Sequence, residues 1–395
     1  MISLEMLYDA QRVLRDVARL TPVFSAPKIG ENIYIKAENQ QLTGSFKLRG
    51  AFNKIHSLTP EEKAKGVIAC SAGNHAQGVA LSATRNGIKS VICMPEGAPL
   101  SKVEATKAYG AEVVLVPGVY DDAHDKAVEL AEEYGYTFAH PFDDEYVIAG
   151  QGTIGLEILQ QLPDVDTVVV PIGGGGLISG VAYAIKAIRP ECKVIGVQAA
   201  GAPSMYTSRK NGKITKLDSV STIADGIAVK EPGELTFELC QKYVDDIVTV
   251  TEDEIATAIL ALMEGQKTVA EGAGATSVAA AMFKKFDTSG KVVCVVSGGN
   301  IDVNILSRVI TKGLTKSGRI TEITTKVLDK PGQLINLLQV VAQTGANIMS
   351  VSHEREAEKS EINSCVVSMV LETRNPAHVA EIKGALQSKG YELLD

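Results

Sequence analysis

Four short segments of the 395-residue chain carry side chains that could do chemistry together. The first is Thr43-Gly-Ser-Phe46-Lys47-Leu-Arg-Gly-Ala51, with Glu38 upstream. A lysine amine can condense with the aldehyde of a cofactor, and a dry site makes that amine more nucleophilic. Phe46 could pack against the cofactor's aromatic ring. Taken alone, a lysine near glycine is usually a solvated loop residue. The second segment is Ser71-Ala72-Gly73-Asn74-His75. A strand, a small-residue turn and a helix would put several backbone N–H groups at a helix N-terminus, a ready carboxylate site. Asn74 could also hydrogen-bond a phenolic oxygen. An ordinary Asn/Gly turn is the plainer account of this segment by itself. The third is Gly173-Gly174-Gly175-Gly176-Leu177. Four glycines let amides approach an anion closely, and a following helix adds its dipole, which makes a phosphate cradle. The run does not match GxGxxG and no Walker lysine follows, which weakens dinucleotide and ATP readings. A flexible hinge is the alternative. The fourth is Ser297-Gly-Gly-Asn300, where a hydroxyl at a strand's C-terminal end would sit where open α/β sheets place ligands. A turn with no further role remains open there.

Short apolar runs must position these segments. Val67–Cys70, Ser90–Cys93, Glu112–Val116, Thr167–Val170, Lys193–Val197 and Val292–Val296 are rich in Val and Ile and do not alternate, as in parallel strands covered on both faces. Helical patterns lie between them. Residues 121–134 put Ala123, Ala127, Leu130, Ala131 and Tyr134 on one face. Helices are also expected at 76–85 and 178–188. The rhythm is that of an α/β protein, and two strand groups, 67–116 and 167–296, predict two sheets with a cleft between them. Residues 312–319 (KGLTKSGR) read as a polar linker. Beyond it, 320–328 alternates like a half-buried strand, and Pro331 opens a helix over 332–343. Strands follow at 347–353 and 362–371, a helix at 376–387 and a last strand at 391–394. The order is βαββαβ, a small ferredoxin-like unit.

Composition limits the alternatives. A net charge of −8 argues against a nucleic-acid surface, and 45% hydrophobic residues supply an ample core. No window approaches the roughly 18 apolar residues of a membrane span, and the first 20 residues, broken by charges, do not read as a signal peptide. Six cysteines stand singly, with no CxxC pair, which suits a reducing cytoplasm.

The four segments, with Thr268-Val-Ala-Glu-Gly-Ala-Gly274, resemble in the same order the landmarks of the serine/threonine dehydratase family over residues 1 to about 315. That resemblance implies the fold of type II pyridoxal-phosphate enzymes: two open parallel-sheet subdomains, the smaller near residues 51–150. It implies pyridoxal 5′-phosphate as cofactor, Lys47 as Schiff-base lysine and catalytic base, and Phe46 beside the ring. Asn74 would meet the 3-hydroxyl, Gly173, Gly174, Gly175, Gly176 and Leu177 the phosphate, and Ser297 the ring nitrogen. Ser71, Ala72, Gly73, Asn74 and His75 would hold the substrate carboxylate. The implied reaction is β-elimination and deamination of L-threonine to 2-oxobutanoate and ammonia, and of L-serine to pyruvate. Val327-Leu-Asp-Lys-Pro-Gly-Gln-Leu334 with Thr344-Gly-Ala-Asn-Ile348 resembles an ACT domain. It implies a catalytic domain over 1–318, a regulatory domain over 319–395, an amino-acid or nucleotide effector near Asp329, Lys330, Pro331 and Gly332, and a homotetramer or homodimer.

Other readings stay in view. Serine racemases share this fold but need a second base on the opposite face, one residue before the Gly-Asn-His, where this chain has Ala72. Their metal site has carboxylates where this chain carries Gln198 and Ser204, so no metal is expected there. β-Replacement synthases fit the Ser-Phe-Lys-Leu-Arg-Gly context less well. A serine-preferring dehydratase is a further possibility. A non-catalytic amino-acid sensor would need only the tail.

Overall fold

The computed structural model describes residues 2–355 and 362–394. The chain divides into two compact units, Met1–Asp302 and Val303–Asp395. In the first unit the apolar runs become strands: β1 (Val23–Ser25), β2 (Ile33–Lys36), β3 (Val67–Cys70), β4 (Ser90–Pro95), β5 (Glu112–Val116), β6 (Thr137–Phe138), β7 (Thr167–Pro171), β8 (Lys193–Ala199), β9 (Asp246–Val250) and β10 (Val292–Val295). They form two sheets. The larger has the order β1-β2-β10-β7-β8-β9, parallel except for the β1–β2 pair, and the smaller is β5-β4-β3-β6, parallel throughout. Every residue of β3, β7 and β10 is buried, which is why their sequences are continuously apolar. Val168, Val170, Val293 and Val295 pack with Ile178, Val181 and Ile185 in the core of the larger sheet, and Ala69 and Ile92 pack with Ala76, Val79 and Ala80 in that of the smaller. The sequence reading omits β1, β2, β6 and β9, which are short or lie partly in polar surroundings.

In the second unit β11 (Ile320–Leu328), β12 (Asn347–Glu354), β13 (Ser364–Glu372) and β14 (Leu393–Leu394) make an antiparallel sheet of order β12-β13-β11-β14. Leu337 and Val341 of the Gln333–Gln343 helix and Ile382 and Leu386 of the Pro376–Ser388 helix pack on Ile323, Val327, Val367 and Met369. The βαββαβ order matches the expectation, and two details differ. Residues 312–316 are not a linker: they complete the Val303–Lys316 helix, and the chain turns only at Gly318, where φ is +64°. An amphipathic repeat carries the helix through Gly313 despite the polar local composition. That helix falls within the second unit, so the division lies at 302/303, one helix before the expected 318/319. Pro331 does not occupy the first helical position. Gly332, with φ +86°, caps the helix and Gln333 begins it. Among the described residues, no helix is long and apolar enough to cross a membrane.

Candidate active site

Chain order against strand order shows where each sheet can bind a ligand. In the smaller sheet the chain moves outward from β3 to β4 to β5, then returns to place β6 on the other side of β3. In the larger sheet it moves from β7 to β8 to β9, and β10 returns to the other side of β7. Loops leaving the two strands at such a reversal diverge and open a crevice. The loops leaving β3 and β6 are Ser71–Gly73 and residues 139–144; those leaving β7 and β10 are residues 172–175 and 296–302. Three of the four sequence-predicted segments therefore stand at reversal points.

The fourth links them. Lys47 opens the Lys47–His56 helix, and a bridge between Ser45 and Gly298 ties the preceding loop to the loop after β10. Phe46 N–H donates to Ser297 O at 3.0 Å and Gly299 N–H to Gly44 O at 2.9 Å. Asn300 Nδ2 donates to Thr43 O at 2.7 Å and to Asn74 Oδ1 at 2.8 Å, so one amide joins three of the segments. Beneath the helix lies a buried ion network. Arg49 donates to Glu38 through Nε and Nη2, both at 2.8 Å, and to Glu157 Oε1 through Nη1 at 2.6 Å; Lys36 Nζ donates to Glu157 Oε2 at 2.5 Å. Glu38 also accepts from the Thr21 hydroxyl. Glu38 thus anchors the helix rather than entering the site.

Lys47 Nζ donates to Pro141 O at 2.8 Å and lies 5.4 Å from the centroid of the Phe46 ring. The residue is half-buried, yet burial of its amine brings the pKa down to about 8, with Glu271 opposing the shift. Phe46 packs against the core of the larger sheet. Cofactor uptake by cofactor-free protein should therefore speed up about tenfold per pH unit up to pH 8 and level off above it, as the neutral amine fills. Growth of cofactor absorbance in stopped flow measures this. A rise continuing toward pH 10 would mean that the amine is solvated.

The Ser71–His75 turn leads into the Asn74–Arg85 helix, whose N-cap, Gly73, offers no side-chain cap. The first-turn amides of a helix have no partner inside it. Only the backbone of His75 can serve a ligand. Its ring is buried and its Nε2 lies 2.8 Å from Ala139 O, and burial, with Lys47 adding to it, pushes its pKa down to about 3. Ala72 packs against the smaller sheet's core and supplies no base. The Gly173–Gly176 run is held between Phe142 and Thr236. A Cβ on Gly174 would sit 2.4 Å from the Phe142 ring, and Gly175 has φ +101°. Thr236 Oγ1 donates to Gly174 O at 2.6 Å, and Gly175 caps the Gly176–Ile188 helix without a side-chain bond. Ser297 is buried at 2% exposure. Gln198 is spent on Ile172 O and Tyr206 N–H, so residues 198–204 present no carboxylate.

Two features escape the sequence reading. Residues 139–143 form one wall: Pro141 meets Lys47, Phe142 meets the glycines, and His140 Nδ1 accepts from Asp143 N–H at 2.8 Å. Their signal, His-Pro-Phe-Asp-Asp after a two-residue strand, is too short to stand out. Glu271, in a segment already quoted, is 5% exposed and accepts from Asn74 Nδ2 at 2.7 Å. Burial raises its pKa to about 7, Asp225 adds to the rise, and the Asn74 hydrogen bond opposes it.

The arrangement fits a phosphorylated aromatic aldehyde. It has a half-buried amine of lowered pKa, an uncapped glycine turn at a helix N-terminus for an anion, and a buried polar atom without a partner close by in the chain. In the loop before Lys47, Ser45 Oγ is buried with no partner; such atoms ordinarily find one. Comparison with known proteins agrees. A family profile described as "Pyridoxal-phosphate dependent enzyme" matches residues 14–298. The chain is 53% identical over 398 positions to an L-threonine ammonia-lyase of Thermotoga maritima, covering 100% of this chain and 99% of that one. Among solved structures, a processed threonine deaminase isoform 2 of Solanum lycopersicum is 43% identical with a TM-score of 0.74, covering 78% of this chain and 87% of that one. A maize serine racemase is 38% identical with a TM-score of 0.75, covering 80% and 98% respectively. The chain belongs to the family of pyridoxal-phosphate-dependent enzymes, and its first unit has their type II fold.

Proposed function

We propose that this protein converts L-threonine to 2-oxobutanoate and ammonia, with L-serine to pyruvate as a second reaction. The observation that carries the reading is the half-buried Lys47 amine, of lowered pKa, beside two reversal-point crevices. The full-length similarity to an L-threonine ammonia-lyase supports the choice of substrate. Amides of Gly173–Gly176 and Leu177 would hold the cofactor phosphate at the start of the Gly176–Ile188 helix. The second hydrogen of Asn74 Nδ2 would meet the 3-hydroxyl, and the Ser297 hydroxyl the ring nitrogen. When bound, the cofactor supplies an electron sink for the substrate's α-carbon. Lys47 Nζ would hold the cofactor, yield to the substrate amine and then take the α-proton. The amides of Ser71–His75 would fix the substrate carboxylate and so decide which α-bond stands ready to break. A hydroxyl at the ring nitrogen, unlike a carboxylate, would not keep that nitrogen protonated, which favours prompt loss of the β-hydroxyl.

Racemisation is the competing reading, since a solved serine racemase matches the fold. It needs a second proton donor opposite Lys47, and Ala72 offers a methyl group. Purified enzyme is expected to release 2-oxobutanoate from L-threonine and no D-serine from L-serine. D-serine as the main product would overturn the reading.

We assign the second unit as an ACT-like regulatory domain whose effector, an amino acid or a nucleotide, binds around Asp329, Lys330, Pro331 and Gly332. Its βαββαβ order and the Gly332 turn at the helix start support this. Allostery requires an effector that discriminates between two states, and couplings of 1–3 kcal/mol are usual. Initial rates on L-threonine should change about 5-fold or more with isoleucine, valine or AMP. Unchanged rates with all three would remove them as effectors. A homotetramer or homodimer and a cytoplasmic location, suited to six free, buried cysteines, complete the proposal.

A further inference from the structure

The second unit brings together three side chains that the proposed reaction does not use. Asp329 lies just past β11, His353 near the end of β12, and Cys365 at the start of β13. β13 is paired with both other strands: Cys365 is opposite Val327, and His353 is opposite Val367. The register therefore brings the three side chains together from remote parts of the sequence. One ligand atom from each lies within 4.8 Å of the other two. His353 Nε2 is 3.0 Å from Cys365 Sγ, which is buried at 1% exposure and directed at Val327 O, 3.3 Å away. Asp329 and His353 face solvent.

From this cluster we propose that Asp329, His353 and Cys365 bind a thiophilic divalent cation, with zinc the first candidate. The inference does not depend on the reading of Lys47. Thiolate and imidazole together select zinc and its late first-row neighbours over magnesium or calcium, which prefer all-oxygen sets. A tetrahedral zinc ion with bonds of about 2.3 Å to sulfur and 2.0–2.2 Å to nitrogen and oxygen puts its donors about 3.5 Å apart. The 3.0 Å His353–Cys365 separation and the 4.8 Å limit bracket that value, and the two exposed side chains have room to adjust. Three protein ligands leave a fourth position for water or a small chelating molecule. The Arg355 Nε lies 3.0 Å from Asp329 Oδ2, so a cation must displace a guanidinium already held there. That competition weakens the site without altering its donor set. The other five cysteines are buried in the first unit.

The test uses the full-length, cofactor-loaded protein, stripped of metal and titrated with Co2+ and with Zn2+. Elemental analysis after desalting and the cobalt–thiolate charge-transfer band are the readouts. The expected result is one metal ion per chain with a thiolate band. Cys365→Ser should abolish the band. His353→Ala should weaken binding at least about 100-fold, since even outer-sphere partners of a metal ligand are worth about 10–100-fold. L-threonine turnover without metal reports whether each variant remains folded. Absence of stoichiometric metal in the parent protein overturns the proposal. So does a band and affinity unchanged in both variants, which would place the metal elsewhere.

Discussion

Lys47→Ala is expected to abolish 2-oxobutanoate formation from L-threonine, with kcat falling on the order of 10³-fold or more. The substitution removes at once the amine that would hold the cofactor and the group proposed to take the α-proton. It leaves the Glu38–Arg49–Glu157 network and the glycine turn untouched, because none of them bonds the Lys47 side chain. The variant should therefore fold and still bind the cofactor noncovalently, but without the absorbance of the lysine-bound form. Lys47→Arg should be equally inactive, since a guanidinium neither condenses with an aldehyde nor gives up its proton near neutral pH. Partial rescue of Lys47→Ala by a small added amine would separate loss of the base from loss of structure. Turnover within a few-fold of the parent enzyme in Lys47→Ala would sink the assignment.

Arg49→Met should lower stability by about 3–5 kcal/mol, the cost of stripping one partner from a buried ion cluster. Arg49 is 1% exposed and Glu38 fully buried, with Glu157 and Lys36 completing the group. Burial by itself would raise the Glu38 pKa, but Arg49, Lys36 and the Thr21 hydroxyl together outweigh it and hold the carboxyl below its ordinary value. A carboxyl whose folded pKa is depressed stabilises the fold above its unfolded pKa of 4.5, and that contribution fades as pH falls through the lower folded value. In Arg49→Met, Glu38 loses its main counter-charge, so its titration and the onset of acid unfolding should move to higher pH. Urea unfolding of the full chain at pH 7 and pH 5 measures both effects. Adding Glu38→Gln to Arg49→Met should recover part of the loss, because it removes the stranded charge. A loss under 1 kcal/mol would mean that water reaches the two carboxylates.

The sequence by itself determined the parts whose cause is local. Val- and Ile-rich runs become buried strands wherever helices cover both faces, so β3, β4, β7, β8 and β10 were legible; Glu112–Val116 forms a strand too, but at the edge of the smaller sheet, where none of its residues is buried and Leu115 is 46% exposed. So were the glycine run after β7 and the turn after β3, because a strand, small residues and a helix in succession leave amides unpaired whatever surrounds them. Lys47 was legible only through its company: beside glycine alone it is an ordinary loop residue. Tertiary structure decided the rest through contacts between residues far apart in the chain. Pro141 reaches Lys47 across 94 positions and Glu271 reaches Asn74 across 197, and no local pattern encodes either meeting. The same holds for His75, whose ring turns to Ala139 because β3 and β6 are neighbours. In the second unit, helix propagation through 312–316 overrode a polar local composition, and strand register gathered Asp329, His353 and Cys365. Backbone preference and hydrophobic period act over a few residues, whereas the electrostatics that set Lys47 near 8 and Glu271 near 7 depend on which segments the two sheets bring together.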